Sequence, residues 1–382
     1  MNIEEIARAP GRKDCPQVLH LIHGLTVGGA EVDLLHKCVA LRKRRGYEFT
    51  IACLLRRGEL APQFEAQGIC VVGPLMRHRY DAAAGFALRR LLQHHPAPIL
   101  HTHLAAANLI GWLANQSLPP GQRKRQLAGE HAQADRWPRP VIWLDRQMAR
   151  SVRILVPTEA TKTSYVARGI PASALRVLPN AIDLARFAAV DWGQARQRIR
   201  GELGWGANEI VLGAVCRLEA VKNLPALIEC VAPLPVKLVI AGEGAERPRL
   251  EALIHARGLG ERVRLLGNRT DVPDVLAALD LFVLASRSES FGLAVAEALL
   301  MGAPVVATRV GGIPDITGQG AYAQLIPAGD VAALGAAIVS ALADLPQLRA
   351  RAAAGQRFVQ ASFGAEAVAE QLHALYQATT ER

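Results

Sequence analysis

The sequence lacks the features that mark secreted and membrane-spanning proteins. Its six cysteines are scattered and form no C-x-x-C pair, which is typical of reduced cysteines in the cytoplasm. The N-terminus has acidic residues where a signal peptide would have basic ones. The longest apolar stretch, residues 291–307, is interrupted by Glu297, Gly302 and Pro304, which excludes a spanning helix. We therefore expect a cytoplasmic protein.

Aromatic residues are also scarce, at 5% of the chain, and they do not interleave with the basic clusters. Proteins that bind single-stranded nucleic acids combine a basic groove with aromatic side chains on which the bases stack. The composition therefore argues against such a protein, and no nucleic-acid partner is expected.

Positive charge is concentrated in the first half of the chain. The 382 residues, which predict two domains, carry a net charge of +10. Residues 1–180 hold 25 Lys and Arg against 13 Asp and Glu, or +12, whereas residues 181–382 hold 19 against 21, or −2. The densest basic clusters are residues 42–45, 77–79 and 123–125. A half with this charge is expected to lie near an anionic partner.

Short apolar runs alternate with longer amphipathic segments along the whole chain. This pattern predicts parallel sheets with helices on both faces. The strand candidates in the first half are residues 17–23, 49–55, 69–73, 98–103, 153–158 and 175–180. Those in the second half are residues 209–216, 236–242, 263–267, 281–286, 304–308 and 323–327.

We expect an α/β protein with two Rossmann-like parallel-sheet domains that face one another across a cleft. The predicted divisions are an N-terminal domain over 1–180, a linker or hinge over 181–208, a C-terminal domain over 209–363, and a closing helix over 364–382 that packs back on the first domain. Ligands of such sheets bind beyond the carboxyl ends of the strands. Functional residues should therefore lie in the loops that follow strands.

Two loops of the first half carry candidate residues. Gly28 and Gly29 follow the first strand and precede a helix, where the backbone can approach an anion; a tight turn is the alternative. His101 and His103 end the fourth strand on one face, and His103 is better placed to touch a substrate. A hydrogen-bonded structural role is the alternative for either histidine. No further ligands accompany them, so no metal site is predicted.

Arg217 and Lys222 flank a strand-to-helix loop in the second half. A guanidinium and an ammonium that fold onto one site can bind a diphosphate and stabilise it as a leaving group. Solvated surface charge is the alternative explanation for this pair.

The segment ESFGLAVAE, residues 289–297, places two glutamates around the expected start of a helix. Ser290 is the predicted N-cap, and the free amides of the first turn suit phosphate oxygens. That first turn would consist of Phe291, Gly292 and Leu293. Glu297, about two turns into the helix, could accept hydrogen bonds from a vicinal diol such as that of ribose. Alternatively, Glu289 closes a capping turn and Glu297 is a salt-bridged helix acid.

Taken together, these motifs resemble the retaining family 4 glycosyltransferases, which are nucleotide-sugar enzymes of the GT-B fold. The resemblance covers most of the chain, and its most specific part is the glutamate pair with its continuation EALLMGAPVVAT. The other motifs are GGAE at 28–31, HTH at 101–103, VPTEATKTSYVARGIPASALRVLPNAID at 156–183, CRLEAVKN at 216–223 and VIAGEG at 239–244.

The resemblance implies a role for each candidate residue of the second half. Arg217 and Lys222 would hold the diphosphate of the donor, and Glu297 would bind its ribose. Glu289 would bind hydroxyls of the transferred sugar, with the amides that follow it close by. The base of the donor would lie near Asn268 and Arg269.

In the first half, Gly28 and Gly29 would form a loop near the diphosphate, and His103 would line the sugar or acceptor side. Two positions depart from the family pattern. Ala181 and Cys216 stand where the family usually has glycine, which restricts the backbone without removing a charged group.

The implied reaction is transfer of a hexose or N-acetylhexosamine from a UDP- or GDP-sugar to an acceptor hydroxyl, with retention at the anomeric carbon. The catalytic residues would be Arg217, Lys222, Glu289 and His103. The cations would do the electrostatic work of a metal, and no Asp-x-Asp triplet is present. No cofactor besides the donor is expected.

The acceptor would be a glycan, a polysaccharide or a lipid-linked molecule such as lipopolysaccharide, bound mainly by the basic first domain. Peripheral contact with the anionic cytoplasmic face of a membrane follows as an expectation. Two alternatives remain open. One is a sugar-nucleotide epimerase of the same fold, and the other is a non-enzymatic protein that binds anionic polymers.

Overall fold

The computed structural model describes residues 15–26, 28–78, 81, 83–131 and 139–381. The acidic residues of the N-terminus and Arg79, the last residue of the 77–79 cluster, lie outside the described residues. The chain forms two compact units. The first comprises Met1–Ile182 with Ala365–Arg382, and the second comprises Asp183–Gly364. Each unit contains one parallel sheet with helices packed against it.

The sheet of the first unit has seven parallel strands in the order β3-β2-β1-β4-β5-β6-β7. The strands are β1 (Gln17–Gly24), β2 (Glu48–Arg56), β3 (Cys70–Val72), β4 (Ile99–His103), β5 (Arg125–Gly129), β6 (Arg153–Val156) and β7 (Leu175–Val177). The helices are α1 (Gly29–Arg45), α2 (Ala61–Ala66), α3 (Ala83–His94), α4 (Ala105–Gln116), α5 (Arg139–Met148), α6 (Glu159–Ala167) and, from the end of the chain, α16 (Ala365–Thr380).

Side chains of β1 alternate between two apolar cores. Val18 and Ile22 belong to the core that contains buried residues of α1 and α16, whereas Leu19 and Leu21 belong to the core under α3 and α4. A strand buried on both faces needs apolar residues at nearly every position. This is why the apolar runs identified most of the strands.

β5 was not predicted. Its sequence, RQLAG, begins with two polar residues and ends with glycine, so it has too short an apolar run to be recognised. It is nevertheless paired on both sides, with β4 and with β6. The sheet therefore has one strand more than the sequence indicated, and the loop after that strand was overlooked as well.

The sheet of the second unit has six parallel strands in the order β10-β9-β8-β11-β12-β13. The strands are β8 (Val211–Val215), β9 (Lys237–Ala241), β10 (Val263–Gly267), β11 (Leu281–Leu284), β12 (Val305–Thr308) and β13 (Gln324–Ile326). The helices are α7 (Leu184–Ala188), α8 (Trp192–Glu202), α9 (Leu224–Val231), α10 (Arg247–Ala256), α11 (Val272–Ala277), α12 (Leu293–Leu300), α13 (Ile313–Ile316), α14 (Val331–Ala343) and α15 (Leu345–Phe363).

Residues 183–208, which were predicted to be part of a linker, belong to the second unit. Arg200 of α8 is buried and donates to the Asp280 carboxylate at 2.7 Å, while Arg196 donates to the other oxygen of Asp280, also at 2.7 Å. The segment looked like a linker because it is polar. Its arginines, however, bind a buried acid rather than solvent, and this fixes the helix to the sheet.

No single helix in the described part of the chain has the length and apolar composition needed to cross a bilayer. α14 and α15 reach that composition only as a pair, and the pair is bent by 97°.

Candidate functional site

The strand order of the second sheet reverses between β8 and β11. β9 and β10 lie on the far side of β8, and β12 and β13 lie on the far side of β11. Open parallel sheets bind ligands beyond the carboxyl ends of their strands at such a switch point. The loop after β8 carries Arg217 and Lys222, and the loop after β11 carries Glu289. The predicted donor residues therefore lie at the expected end of this sheet.

Lys222 and Glu289 form an ion pair across the switch point. The Lys222 Nζ lies 2.6 Å from the Glu289 Oε1, and the two side chains are 14% and 12% exposed. The Ser286 hydroxyl donates to the same oxygen at 2.7 Å. Removing one member of a pair this shielded from water leaves the other charge poorly compensated. The pair thus holds an ammonium and a carboxylate in fixed positions.

Backbone hydrogen bonds set the positions of both loops. Lys222 ends a 3-10 turn, after which Asn223 adopts a left-handed conformation with φ of 52°. The Arg287 amide, in the loop after β11, donates to the Val221 carbonyl at 2.8 Å. The Thr308 hydroxyl of β12 donates to the Ser286 carbonyl at 2.6 Å. The ion pair is therefore supported by three adjacent strands.

Arg217 is not part of this pair. Its side chain is 76% exposed, and its guanidinium bonds to Glu219 rather than to the Lys222–Glu289 pair. The structure brings Lys222 and Glu289 together and leaves Arg217 at the surface of the same loop.

The start of α12 differs from the prediction. The helix begins at Leu293, and its N-cap is Gly292 with φ of 103° and no side-chain cap. Phe291 and Gly292 are therefore not in the first turn, and Ser290 is not the N-cap. The reason is steric, because the left-handed conformation of Gly292 cannot continue into a helix. The amides of Leu293 and Ala294 lie in the first turn, where helix amides lack intrahelical partners.

Close packing as well as backbone conformation requires glycine at position 292. A Cβ on Gly292 would lie 2.2 Å from the Ile313 Cδ1 of α13. Phe291 is buried, with its ring packed edge-on against Phe363. The turn that presents the first amides of α12 is therefore fixed on both sides.

Glu297 lies about one turn into α12, not two, because the helix starts late. Burial raises the pKa of its carboxyl group to about 7, and the charge of Arg186 offsets this only in part. The carboxylate forms no side-chain hydrogen bond or ion pair with any residue that the structure describes. The alternative of a salt-bridged helix acid is therefore not supported.

Arg269, predicted to lie near the donor base, is held by acids. Its guanidinium donates twice to Asp271, at 2.7 Å for each bond, and it contacts Glu202 at 3.1 Å. Hydrogen bonds from Arg269 and, second, from Arg198 lower the pKa of Asp271 to about 2. Asn268 is exposed beside it. The Asn268 side chain forms no hydrogen bond with a described residue, whereas the edge of the Arg269 guanidinium is occupied.

The first sheet has its own switch point, between β1 and β4. A cavity of ≈ 230 Å³ lies at the carboxyl ends of these strands. It is lined by His23, Gly24, Thr26, Glu31, Arg56, Leu104, Ala105, Ala106 and Glu130. Leu104 has φ of 71°, which is rare for a residue with a branched side chain and occurs most often at functional sites.

Glu130 is a residue of this cavity that the sequence did not indicate. It directly follows β5, it is buried, and the Asn108 side chain donates to its Oε1 at 2.6 Å. Burial raises the pKa of Glu130 to about 8. The next residue, His131, is partly buried, and burial lowers its pKa to about 4. Both could have been found only by recognising the strand before them.

Gly28 and Gly29 differ in their surroundings. Gly28 is the extended N-cap of α1, and a Cβ there would lie 2.5 Å from the Glu31 Oε2. Burial raises the pKa of Glu31. Gly29 is exposed, and a Cβ there would meet no atom within 4 Å. A Cβ at Gly28 would meet only the end of the flexible Glu31 side chain, which can shift, so space alone requires glycine at neither position.

His103 lies in the interior of the first unit, and its predicted contact with a substrate stays a prediction. It is 4% exposed, and its Nε2 lies 2.8 Å from the His20 Nδ1. His101 is hydrogen-bonded to the Tyr376 hydroxyl at 2.8 Å. Burial lowers the pKa of all three histidines, which keeps them neutral. The structural role that the sequence left open describes His101 and His103 better.

The ring nitrogens of His20, His101 and His103 lie within 4.8 Å of one another. Such a group could offer nitrogens to a metal. A nitrogen of each ring is already used in the hydrogen bonds described above. We therefore interpret the three residues as a hydrogen-bonded core cluster, and the absence of a metal stays a prediction.

A small cavity with several polar groups in its lining adjoins this cluster. Its volume is ≈ 20 Å³, and it is lined by His103, His131 and Asn180 among others. The Nδ1 atoms of both histidines and the Asn180 Oδ1 are buried without a hydrogen-bond partner among the described residues. A cavity of this size can hold one water molecule, which would satisfy such atoms.

Comparison with known proteins links both units to one family. The family model described as Glycosyltransferase Family 4 matches residues 27–186, and that described as Glycosyl transferases group 1 matches residues 195–357.

Two curated relatives illustrate the likeness. The D-inositol 3-phosphate glycosyltransferase of Mycobacterium marinum is 31% identical over 343 residues, which cover 81% of this chain and 72% of the relative. The N-acetyl-alpha-D-glucosaminyl L-malate synthase of Bacillus anthracis is 25% identical over 306 residues, which cover 78% of this chain and 79% of the relative.

Solved structures share the fold. HepE of Anabaena in complex with UDP is 22% identical and superimposes with a TM-score of 0.83 over 95% of this chain and all of that one. A glycosyltransferase of Rickettsia africae is 16% identical and superimposes with a TM-score of 0.85 over 97% of this chain and 100% of that one. The prediction from the motifs is thus confirmed: the chain belongs to the family 4 glycosyltransferases and has their GT-B fold of two Rossmann-like domains.

Proposed function

We propose that this glycosyltransferase moves a hexose or N-acetylhexosamine from a UDP- or GDP-sugar to an acceptor hydroxyl, with retention at the anomeric carbon. The observation that carries the proposal is the Lys222–Glu289 ion pair at the β8–β11 switch point. It places one cation and one acid where a parallel sheet receives its ligand.

Lys222 would exchange partners when the donor binds. Without a ligand its ammonium is neutralised by Glu289. A diphosphate at the same edge would attract the ammonium more strongly than one carboxylate does, because it carries more negative charge. Glu289, still hydrogen-bonded by Ser286, could then accept from hydroxyls of the transferred sugar. Binding of the donor would thereby prepare both residues for the reaction.

The remaining contacts to the diphosphate would come from groups that are free to move or already aimed. Arg217 is exposed and could swing from Glu219 onto a phosphate. The first amides of α12 would donate to phosphate oxygens at a helix N-terminus. Together these donors would stabilise the charge that builds up on the departing diphosphate, so no metal ion is required in this scheme. A phosphate oxygen would accept the proton of the acceptor hydroxyl.

Glu297 would recognise the ribose. Its carboxyl group makes no competing side-chain hydrogen bond to a described residue, and both of its oxygens can accept hydrogen bonds from a vicinal diol.

A uridine donor is favoured over a guanosine donor by the similar HepE structures, which are in complex with UDP and with UDP-glucose.

The acceptor would bind in the cavity at the β1–β4 switch point of the first unit. There, Arg56 supplies a cation, and Glu31 and Glu130 supply carboxyl groups for hydroxyls. The two curated relatives are named for acceptors that carry negative charge, inositol 3-phosphate and L-malate. A phosphorylated glycan or a lipid-linked sugar shares this chemistry.

Peripheral binding to an anionic membrane in the cytoplasm stays a prediction. The structure removes part of its basis, because Arg44 and Arg45 form ion pairs with Glu366 and Glu370 of α16. Flotation with neutral and with anionic vesicles would test it, and equal recovery in both would contradict it.

The proposal is tested by incubating the protein with UDP-glucose, UDP-galactose, UDP-N-acetylglucosamine and GDP-mannose and measuring its thermal stabilisation. One donor should raise the melting temperature, and turnover of that donor should then require an acceptor such as inositol 3-phosphate or a lipid-linked sugar. NMR of the product should show a retained anomeric configuration. Conversion of the donor to its epimer without an acceptor would establish the epimerase alternative instead.

A further inference from the structure

A second cavity of the first unit lies at the opposite edge of the sheet from the candidate acceptor site. Its volume is ≈ 650 Å³, and it is formed around the amino ends of β5, β6 and β7 together with the end of α16. Ligand-binding cavities are commonly of this size. The transfer reaction proposed above uses only the carboxyl edges of the sheets, so this cavity has no part in it.

The cavity is strongly cationic. Among the residues that the structure describes, five Lys and Arg residues line it and no Asp or Glu does. They are Arg123, Lys124, Arg125, Arg150 and Arg153. The 123–125 cluster stands out in the sequence, and the proposed function does not use it.

Three of these cations are held in place by carbonyl groups, not by acids. Arg123 donates to the carbonyls of Leu118 and Gln116, both at 3.0 Å. Lys124 donates to the His95 carbonyl at 2.5 Å, and Arg125 donates to the Thr379 carbonyl at 2.8 Å. A carbonyl oxygen orients a cation without neutralising its charge. These side chains are therefore held in place without an acid that neutralises them, although burial lowers the pKa of Lys124.

Some cationic groups elsewhere in the described part of the chain are neutralised instead. Arg44 and Arg45 pair with two glutamates of α16, and Arg198 of α8 pairs with Asp271 and Asp274. In contrast, none of Arg123, Lys124, Arg125 and Arg150 forms an ion pair with a described residue. Clustered like charges repel one another, and an anion bound among them would relieve that repulsion.

The remaining lining favours phosphate groups on a polar scaffold. No aromatic side chain of the described residues lines the cavity, so these residues offer a nucleobase nothing on which to stack. Gln116, Ser151 and Ser173 offer hydrogen-bonding groups for hydroxyls. Fixed guanidinium groups bind phosphate in a bidentate manner. A concave site also suits a soluble molecule better than the flat surface of a bilayer.

We propose that this cavity binds a soluble small molecule that carries two or more phosphate groups on a polyhydroxylated scaffold. The site is separate from both substrate sites, and the inference does not depend on the proposed function.

The test is isothermal titration with inositol hexakisphosphate and with inorganic tripolyphosphate. The cavity variant is Arg123→Gln/Arg150→Gln. The matched control is Lys43→Gln/Arg357→Gln, which removes the same charge from exposed positions outside the cavity. The cavity variant should bind about tenfold more weakly or worse, because each cation that contacts phosphate contributes a charge-assisted hydrogen bond. The control should change the affinity by less than about threefold, since it alters only the overall charge. Unchanged melting temperatures would show that both variants are folded.

Two further arms separate this site from others. Lys222→Ala should leave the affinity for both probes unchanged, and a loss there would place the probe at the donor site and overturn the proposal. Equal affinities of the cavity variant and the control would overturn it as well. Binding of vesicles of phosphatidylcholine and phosphatidylglycerol at the cavity, without binding of either soluble probe, would also overturn the proposal.

Discussion

At the scale of single residues, the ion pair and the free acid of the second unit behave differently. Glu289 is compensated by Lys222, whereas Glu297 is partly buried without an ion pair among the described residues. Burial raises the pKa of Glu297 to about 7. Its charge therefore changes in the physiological range, and this makes its proposed contact with the ribose testable.

We expect the affinity for the sugar nucleotide to depend on pH through Glu297. The carboxylate, which accepts hydrogen bonds from the ribose hydroxyls, predominates above pH 7 and is lost as the pH falls through about 7. Wild-type affinity should thus decrease between about pH 8 and pH 6, by about tenfold. Glu297→Gln should bind weakly with little pH dependence over that range. Titration calorimetry measures the affinity of wild type and of Glu297→Gln for a sugar nucleotide, which has no titrating group of its own between about pH 6 and pH 8. The same pH dependence of affinity in both proteins would contradict the assignment of Glu297 to the ribose.

Residues of the second unit could be predicted because each belongs to a motif. Lys222 and Glu289 were named from the sequence, and the structure brings them together. Glu130 could not be named, because its position depends on β5, whose polar start hid the strand. The role of His103 stays a prediction, because strand alternation gives the face of a residue but not whether that face is covered, and its side chain is buried.

At the scale of elements, α12 shows why boundaries are harder to predict than elements. The apolar run after Ser290 predicted a helix, and the helix exists. Its start is set by the left-handed Gly292 and by the contact with Ile313 of α13, which lies 21 residues later in the chain (313 − 292). A contact between distant segments leaves no local signal in the sequence.

Gly292→Ala should destabilise the protein far more than Gly302→Ala. Both glycines have positive φ, 103° and 67°, so both substitutions carry a backbone cost of about 1 kcal/mol. A Cβ at 292 would also clash with Ile313, whereas a Cβ at 302 meets no atom within 4 Å. The clash should add about 1 to 3 kcal/mol of lost unfolding free energy. Chemical denaturation of both variants measures the difference, and similar losses would show that the α12–α13 contact yields without cost.

At the scale of the whole molecule, the chain divides into two units that are not two continuous segments. The last helix, α16, belongs to the first unit although it follows the second in sequence. Its buried residues Val368, Leu372 and Tyr376 complete a core that contains β1 and α1. Alternating strands and helices predicted the two sheets, since that pattern repeats along the chain. The assignment of residues 183–208 required knowledge of the buried Arg200–Asp280 contact.

Tyr376→Ala should destabilise the first unit selectively. Tyr376 is 1% exposed, and its hydroxyl bonds to the Nδ1 of His101, so the substitution creates a cavity and leaves a buried nitrogen unsatisfied. The expected loss of unfolding free energy is about 3 to 5 kcal/mol. Gln377→Ala, at the exposed neighbouring residue, serves as the control. Hydrogen exchange should then speed up in β1 and β4 but not in β8 and β11. Equal acceleration in both sheets would contradict a division into two units.

The central claim is that Lys222 stabilises a departing diphosphate at the β8–β11 switch point. The most direct measurement is the kcat/KM for the donor identified in the screen, compared between wild type, Lys222→Ala and the exposed control Arg357→Ala of the same unit. The account predicts that kcat/KM falls by about 100-fold or more in folded Lys222→Ala, which is the scale for removing one charge partner of a transition state. It predicts near wild-type kcat/KM for the control. Near wild-type activity of Lys222→Ala would contradict it.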